Sequence, residues 1–273
     1  MRATFPIAAA ACLLASACES PAVRSIAPEG PSRITHGSIT GDTHRAVVLL
    51  VMDIDGQPAF RCSATLIAPK VVLTAGHCAG EPREFSGMRV FTEADVDNGN
   101  NNYPFAGPNT VEARAWHSHP LFTEAQFYLH DVGVVELKDA INLGASEYGR
   151  LPSANQLDAL KASRSTGFTA VGYGAQKITS AYEVADRVRM IAQPWLIELN
   201  GPLTGTFSLL LSNNASTGGT CFGDSGGPNY LGSSSVIAGV TSFGTNNNCV
   251  GTGGVFRLDK KDVLDFVNQY LPK

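Results

Sequence analysis

Helical periodicity is scarce in this chain of 273 residues. Without it a bundle or coiled coil is excluded, and the 28 glycines favour an all-β class. There is no excess of positive charge. Twenty Lys and Arg stand against 24 Asp and Glu, a net charge of -4, which argues against nucleic acid or an acidic surface as partner. Long apolar runs are missing too. The run from Phe5 to Ala15 is too short to cross a bilayer as a helix. Metal-ligand patterns are thin: His117 and His119 stand two apart with no third ligand nearby. The acidic, Asn-rich stretch with Asp95, Asp97, Asn98 and Asn100 fails the EF-hand spacing, because Gly99 comes one place early. A solvated loop is expected there, and no metal or organic cofactor is expected anywhere. Charged residues are also few, 16% against 44% hydrophobic, so a sizeable core can be buried. The length admits one large domain or two small ones.

What the chain does contain is one stretch built for chemistry, Thr220-Cys221-Phe222-Gly223-Asp224-Ser225-Gly226-Gly227-Pro228. A serine hydroxyl attacks only if a base takes its proton and donors catch the resulting oxyanion. Glycines around Ser225 leave room for substrate and permit backbone angles closed to other residues. In such a turn the N–H groups of Gly223 and Ser225 can converge on one spot as an oxyanion hole. Asp224 is a charge that needs a partner if it is buried.

Two further stretches carry candidates for the base and its orienting acid. Val71-Val72-Leu73-Thr74-Ala75-Gly76-His77-Cys78 reads as a strand running into His77. His130-Asp131-Val132-Gly133-Val134-Val135-Glu136-Leu137 places Asp131 at the entry of an apolar strand, where a carboxylate is tolerated only if hydrogen-bonded. Other strands are expected at Ala46 to Met52, Phe60 to Ile67, Val111 to Trp116, Thr169 to Gly174, Val188 to Ile191 and Val236 to Phe243. Val263, Leu264, Phe266, Val267, Tyr270 and Leu271 recur at helical spacing, so a terminal amphipathic helix packed on the second half is expected.

These motifs, in the order His77, Asp131, Ser225, resemble those of the chymotrypsin/trypsin-like serine proteases over roughly residues 34–272. Gly76 replaces an alanine of the family pattern, and Tyr173 a tryptophan. The resemblance implies two six-stranded antiparallel β-barrels with the site between them and a C-terminal helix. It divides the chain into a signal peptide (1–17), a linker or propeptide (18–33), a first barrel (34–150) and a second barrel with the helix (151–273). It pairs Cys62 with Cys78 and Cys221 with Cys249. It makes Arg33-Ile34 an activation junction, cut by another protease so that the Ile34 amine pairs with Asp224. Gly219, Thr220, Ser242, Phe243, Gly244 and Gly254 fall at the places that shape the substrate pocket. Glycines there imply an open, uncharged pocket preferring Phe, Tyr, Leu or Met, with smaller aliphatics second.

The leader directs export. Ala15-Ser16-Ala17 suits plain secretion, and Leu14 to Cys18 resembles a bacterial lipobox that would lipidate Cys18 and tether the protein to a membrane as an outer-membrane or cell-surface lipoprotein. The expected function is a serine endopeptidase acting on polypeptides. A retired relative serving as a binding module is the alternative. An α/β-hydrolase needs the order Ser, Asp, His, which this chain lacks.

Overall fold

The structure, a computed structural model, describes residues 35–178 and 182–272. The chain divides into a unit of residues 1–30, outside the described residues, and a unit of residues 31–273. The leader, Cys18, Arg33 and Ile34 therefore lie outside the described residues.

A short strand β1 (Ser38–Ile39) precedes the first barrel. That barrel comprises β2 (Val47–Ile54), β3 (Gln57–Ala68), β4 (Val71–Thr74), β5 (Gly87–Phe91), β6 (Thr110–Ser118) and β7 (Gly133–Leu137). They close in the order β2-β3-β4-β7-β6-β5. Between β4 and β5 lies a single helical turn, α1 (Gly76–Ala79). The β2–β3 hairpin turns at Asp55 and Gly56, both with positive φ, as a two-residue primed turn requires. Val47 to Met52 are all buried, because one face of β2 lines the barrel and the other meets the second half. A strand covered on both faces reads as an unbroken apolar run.

The second half holds β8 (Ser163–Gly172), the small hairpin β9 (Lys177–Ile178) and β10 (Glu183–Val184), then β11 (Met190–Ala192), β12 (Trp195–Leu199), β13 (Ser208–Asn213), β14 (Pro228–Leu231), β15 (Ile237–Gly244) and β16 (Gly251–Arg257). Six of these close as β8-β12-β13-β16-β15-β14, with β14 returning to β8, while β11 and β1 extend the sheet from β8. Two six-stranded antiparallel barrels are thus present, as expected.

One expectation needs correction. The helix α2 (Lys261–Asn268) reaches back to the first barrel instead of resting on the second alone. Phe266 meets the ring of His119 edge-on at 5.2 Å, and Tyr270 stacks on His117 at 4.7 Å. The amphipathic stripe specified a buried face, not the surface that would bury it. The acidic stretch is exposed to solvent at Asp97, Asn98 and Asn100, as expected, but it also carries tertiary contacts. Val96 is buried, its N–H bonds the Arg187 carbonyl, and Asp97 pairs with Arg187 at 2.7 Å. The Glu93 carboxylate is occupied by Asn100, Asn101 and Asn109. The loop straps one barrel to the other. Tyr173 completes the strap, its buried hydroxyl donating to the Glu93 carbonyl at 2.7 Å. Burial pushes that phenol up to about 12. Among the described residues, no helix is long and apolar enough to cross a membrane.

Candidate functional site

His77 lies within α1, not at the end of the strand. Gly76 is needed there because a Cβ would stand 2.8 Å from Phe122 Cδ2 and 3.1 Å from the Val132 nitrogen. Close approach of residue 122 accounts for this departure from the family pattern. The disulfide Cys62–Cys78 fastens the turn to β3.

Asp131 is fully buried where the chain enters β7. Its Oδ1 accepts the His77 backbone N–H at 2.9 Å, and its Oδ2 lies 3.0 Å from His77 Nδ1. A carboxylate can only accept, so Nδ1 carries the proton and Nε2 of the neutral ring is left as the basic nitrogen. The Ser242 hydroxyl, from β15 of the other barrel, donates to the same Oδ2 at 2.5 Å. Ser242 lines the hollow beside Ser225, as expected of a pocket residue, and its hydroxyl also serves the aspartate.

The nucleophile loop is built on backbone. Ser63 donates its N–H to the Ser225 carbonyl at 2.8 Å and its hydroxyl to the Gly223 carbonyl at 2.9 Å. Gly226 has φ +76, and a Cβ there would stand 2.0 Å from Thr74 Oγ1 and 2.8 Å from the Ala75 nitrogen. Only glycine allows the residue after Ser225 to seat against the segment leading into His77. This contact brings the loop of the second barrel to the histidine of the first. Among the described residues, the N–H groups of Gly223 and Ser225 have no acceptor.

A family model described as Trypsin matches residues 42–260. The chain belongs to the trypsin family. It is similar to Brachyurin from Leptuca pugilator, 29% identical over 198 residues that span 69% of this chain and 77% of that protein. It is also similar to Trypsin iota from Drosophila melanogaster, 26% identical over 191 residues, 67% of this chain and 68% of that one. A solved structure titled as HL collagenase shares the fold at a TM-score of 0.65 with 21% identity, covering 85% of this chain and 96% of that one.

The electrostatics of this trypsin-family site turn on two groups. Burial works to lower the His77 pKa and is the largest influence on it. The charge and hydrogen bond of Asp131, with the charges of Glu124 and Glu84, together outweigh it, so the net shift is upward. Asp224 is fully buried. Its oxygens accept the N–H groups of Gly174 and Cys221, each at 2.8 Å. Burial raises its pKa from 3.8 to about 7, against the opposing pull of those bonds and of the Arg61 charge. Cys62, His77 and Cys78 are the one cluster of possible metal ligands among the described residues. Both sulfurs are in the disulfide, so neither is a thiolate that could bind a metal.

Beside Ser225 a hollow of about 260 Å³ is lined by Thr220, Phe222, Phe243, Gly244 and Phe127 among others. Two of the glycines expected to open its walls are covered. Gly219 lies beneath Asn213, whose Cγ would be 2.2 Å from a Cβ. Gly254 is the bed of the Phe243 ring, 2.4 Å from where its Cβ would stand. Both glycines make room for neighbouring side chains, which a motif comparison does not show. Gly244 is exposed and lines the hollow. Asn213 was not anticipated. It accepts from the Thr35 hydroxyl at 2.5 Å and donates to the Thr220 carbonyl at 2.8 Å. The disulfide Cys221–Cys249 closes this region. Two disulfides suit an oxidising, extracellular setting.

Proposed function

We propose that the protein is an exported serine endopeptidase. The observation that carries this reading is the Asp131–His77 pair held against the Ser225 loop, with two unpaired N–H groups beside the nucleophile. His77 Nε2 takes the Ser225 proton as the hydroxyl oxygen attacks a peptide carbonyl. Asp131 orients the ring and stabilises its charged form. The N–H groups of Gly223 and Ser225 hold the oxyanion, His77 returns the proton to the leaving amine, and water releases the acyl group. These steps are the established ones of this enzyme family, assigned here to individual residues.

The hollow beside Ser225 favours apolar side chains before the scissile bond, since three phenyl rings and the disulfide line it with only hydroxyl groups as polar side chains and no charged one. Burying an unpaired Arg or Lys there would cost several kcal/mol. The enzyme would then not cut its own Arg33-Ile34 bond efficiently, and another protease activates it. The freed Ile34 amine supplies the cation that buried Asp224 lacks. Support comes from Thr35, which already bonds Asn213 and the Gly219 carbonyl beside the hollow. Lipidation at Cys18 would tether the enzyme, and cleavage after Ala17 without lipidation would release it.

The test is reaction of the form beginning at Ile34 with a fluorophosphonate, alongside hydrolysis of a peptide library. Labelling at Ser225 and cleavage after Phe, Tyr, Leu or Met are expected. Absence of both would leave a binding module. Fastest cleavage after Arg or Lys would overturn the pocket assignment alone.

A further inference from the structure

A second hollow, about 420 Å³, opens across the Phe222–Gly223 segment from the first, and Phe222 lines both. Its wall on the first barrel is β3. Ser63 of that strand bonds the Gly223 and Ser225 carbonyls. Residues two apart on a strand share a face, roughly 7 Å apart. Arg61 therefore stands one pleat beyond Ser63 on the side facing the nucleophile loop. Its Nε is 3.4 Å from where a Cβ on Gly223 would stand. Arg61 is half-buried and, among the described residues, forms no ion pair, although its charge acts on Asp224 behind the loop. Phe60 and Phe222 both line this hollow, 54% and 52% exposed. Glu183 lies on the same hollow but is exposed to solvent and makes no ion pair with Arg61.

If residues before the scissile bond occupy the smaller hollow, the leaving segment must pass over Gly223 into the larger one. We infer that Arg61 selects substrates carrying Asp or Glu at the first or second position after the scissile bond. This inference rests on the peptidase reading and adds the leaving side to it. A guanidinium partly stripped of water, and held in no ion pair among the described residues, offers paired N–H donors that match a carboxylate. The exposed Phe222 ring on the same hollow provides apolar surface for the peptide around that acidic residue. A Lys at the same positions would meet like charge.

The experiment uses quenched peptides with Phe before the scissile bond and Glu, Gln or Lys at each of the next two positions. In the active form, kcat/KM for Glu should exceed that for Lys by about tenfold at one of them, with Gln between. Arg61→Ala should bring the ratio close to one, Arg61→Glu should invert it, and Arg61→Lys should keep its sign. The ratio should also shrink at 1 M salt, where the screening length falls to about 3 Å. A ratio of one in the parent enzyme, or a Glu preference that survives Arg61→Ala, overturns the inference while peptide cleavage still stands. Failure to cleave any peptide or to label at Ser225 would instead remove the peptidase reading, and the inference with it.

Discussion

Two buried aspartates, one in each half of the site, are held in opposite ways. Asp131 accepts from the His77 backbone, faces the His77 ring and receives the Ser242 hydroxyl. Asp224 is equally buried but has two backbone N–H donors and, among the described residues, no ion-pair partner. Its carboxyl is accordingly pushed up to about 7. The first barrel's half of the site is complete within the described fold. The second barrel's half holds a buried carboxyl with no ion-pair partner among the described residues. A buried charge without a partner is costly, and supplying one can drive a loop into place.

The comparison can be broken most severely at the nucleophile. Ser225→Ala should lower kcat/KM by about 10^6-fold, a magnitude carried over from other serine proteases, with the fold intact by circular dichroism. Unchanged turnover would end the peptidase reading. Asp131→Asn should cost about 10^4-fold, again by analogy within the family, because an amide can present a donor to Nδ1 and favour the wrong tautomer. That loss should be present whichever way the chain is processed.

Asp224 should behave conditionally. Its folded-state pKa is raised above the ordinary carboxylate value, so ionisation opposes folding. Stability is highest below about pH 4 for this group and is lost as pH rises toward 7. In the uncleaved chain the loss should be on the order of 4 kcal/mol. Urea unfolding of parent and Asp224→Asn between pH 5 and 8 would show it as a difference that moves in favour of the variant. After cleavage at Arg33-Ile34 the same substitution should leave an inert enzyme. A pH-independent difference would mean that Asp224 already has a cationic partner.

Smaller changes sharpen the contrast. Ser242→Ala removes one donor from Asp131 and should cost about three- to tenfold in kcat. Glu124→Gln removes a charge that raises the His77 pKa. The base form of His77 is the active one, so activity in the parent should rise through a midpoint above 6.5. In the variant that midpoint should move down, as read from kcat/KM against pH. A midpoint that stays put would show that Glu124 does not act on His77.

How much of this was legible in the sequence depended on distance along the chain. The nucleophile stretch, the run into His77 and the Asp131 strand are local patterns. So is the alternation between apolar strands and polar breaks. Each is set by backbone sterics and burial within a few residues, although His77 falls in the turn α1 beyond the strand.

What only the tertiary structure decided lies between segments far apart. The strap made by residues 93–102 is invisible in sequence because Arg187, the partner of Asp97, is 90 positions away. Ser242 serves Asp131 across 111 positions. Phe243 fills the space that Gly254 leaves, and Asn213 covers Gly219. The helix α2 advertised an apolar stripe but not that His117 and His119 would receive it. A sequence specifies which surfaces must be buried and which polar groups need partners. The choice among possible partners is made by packing, since only in the closed pair of barrels do such residues come within contact distance.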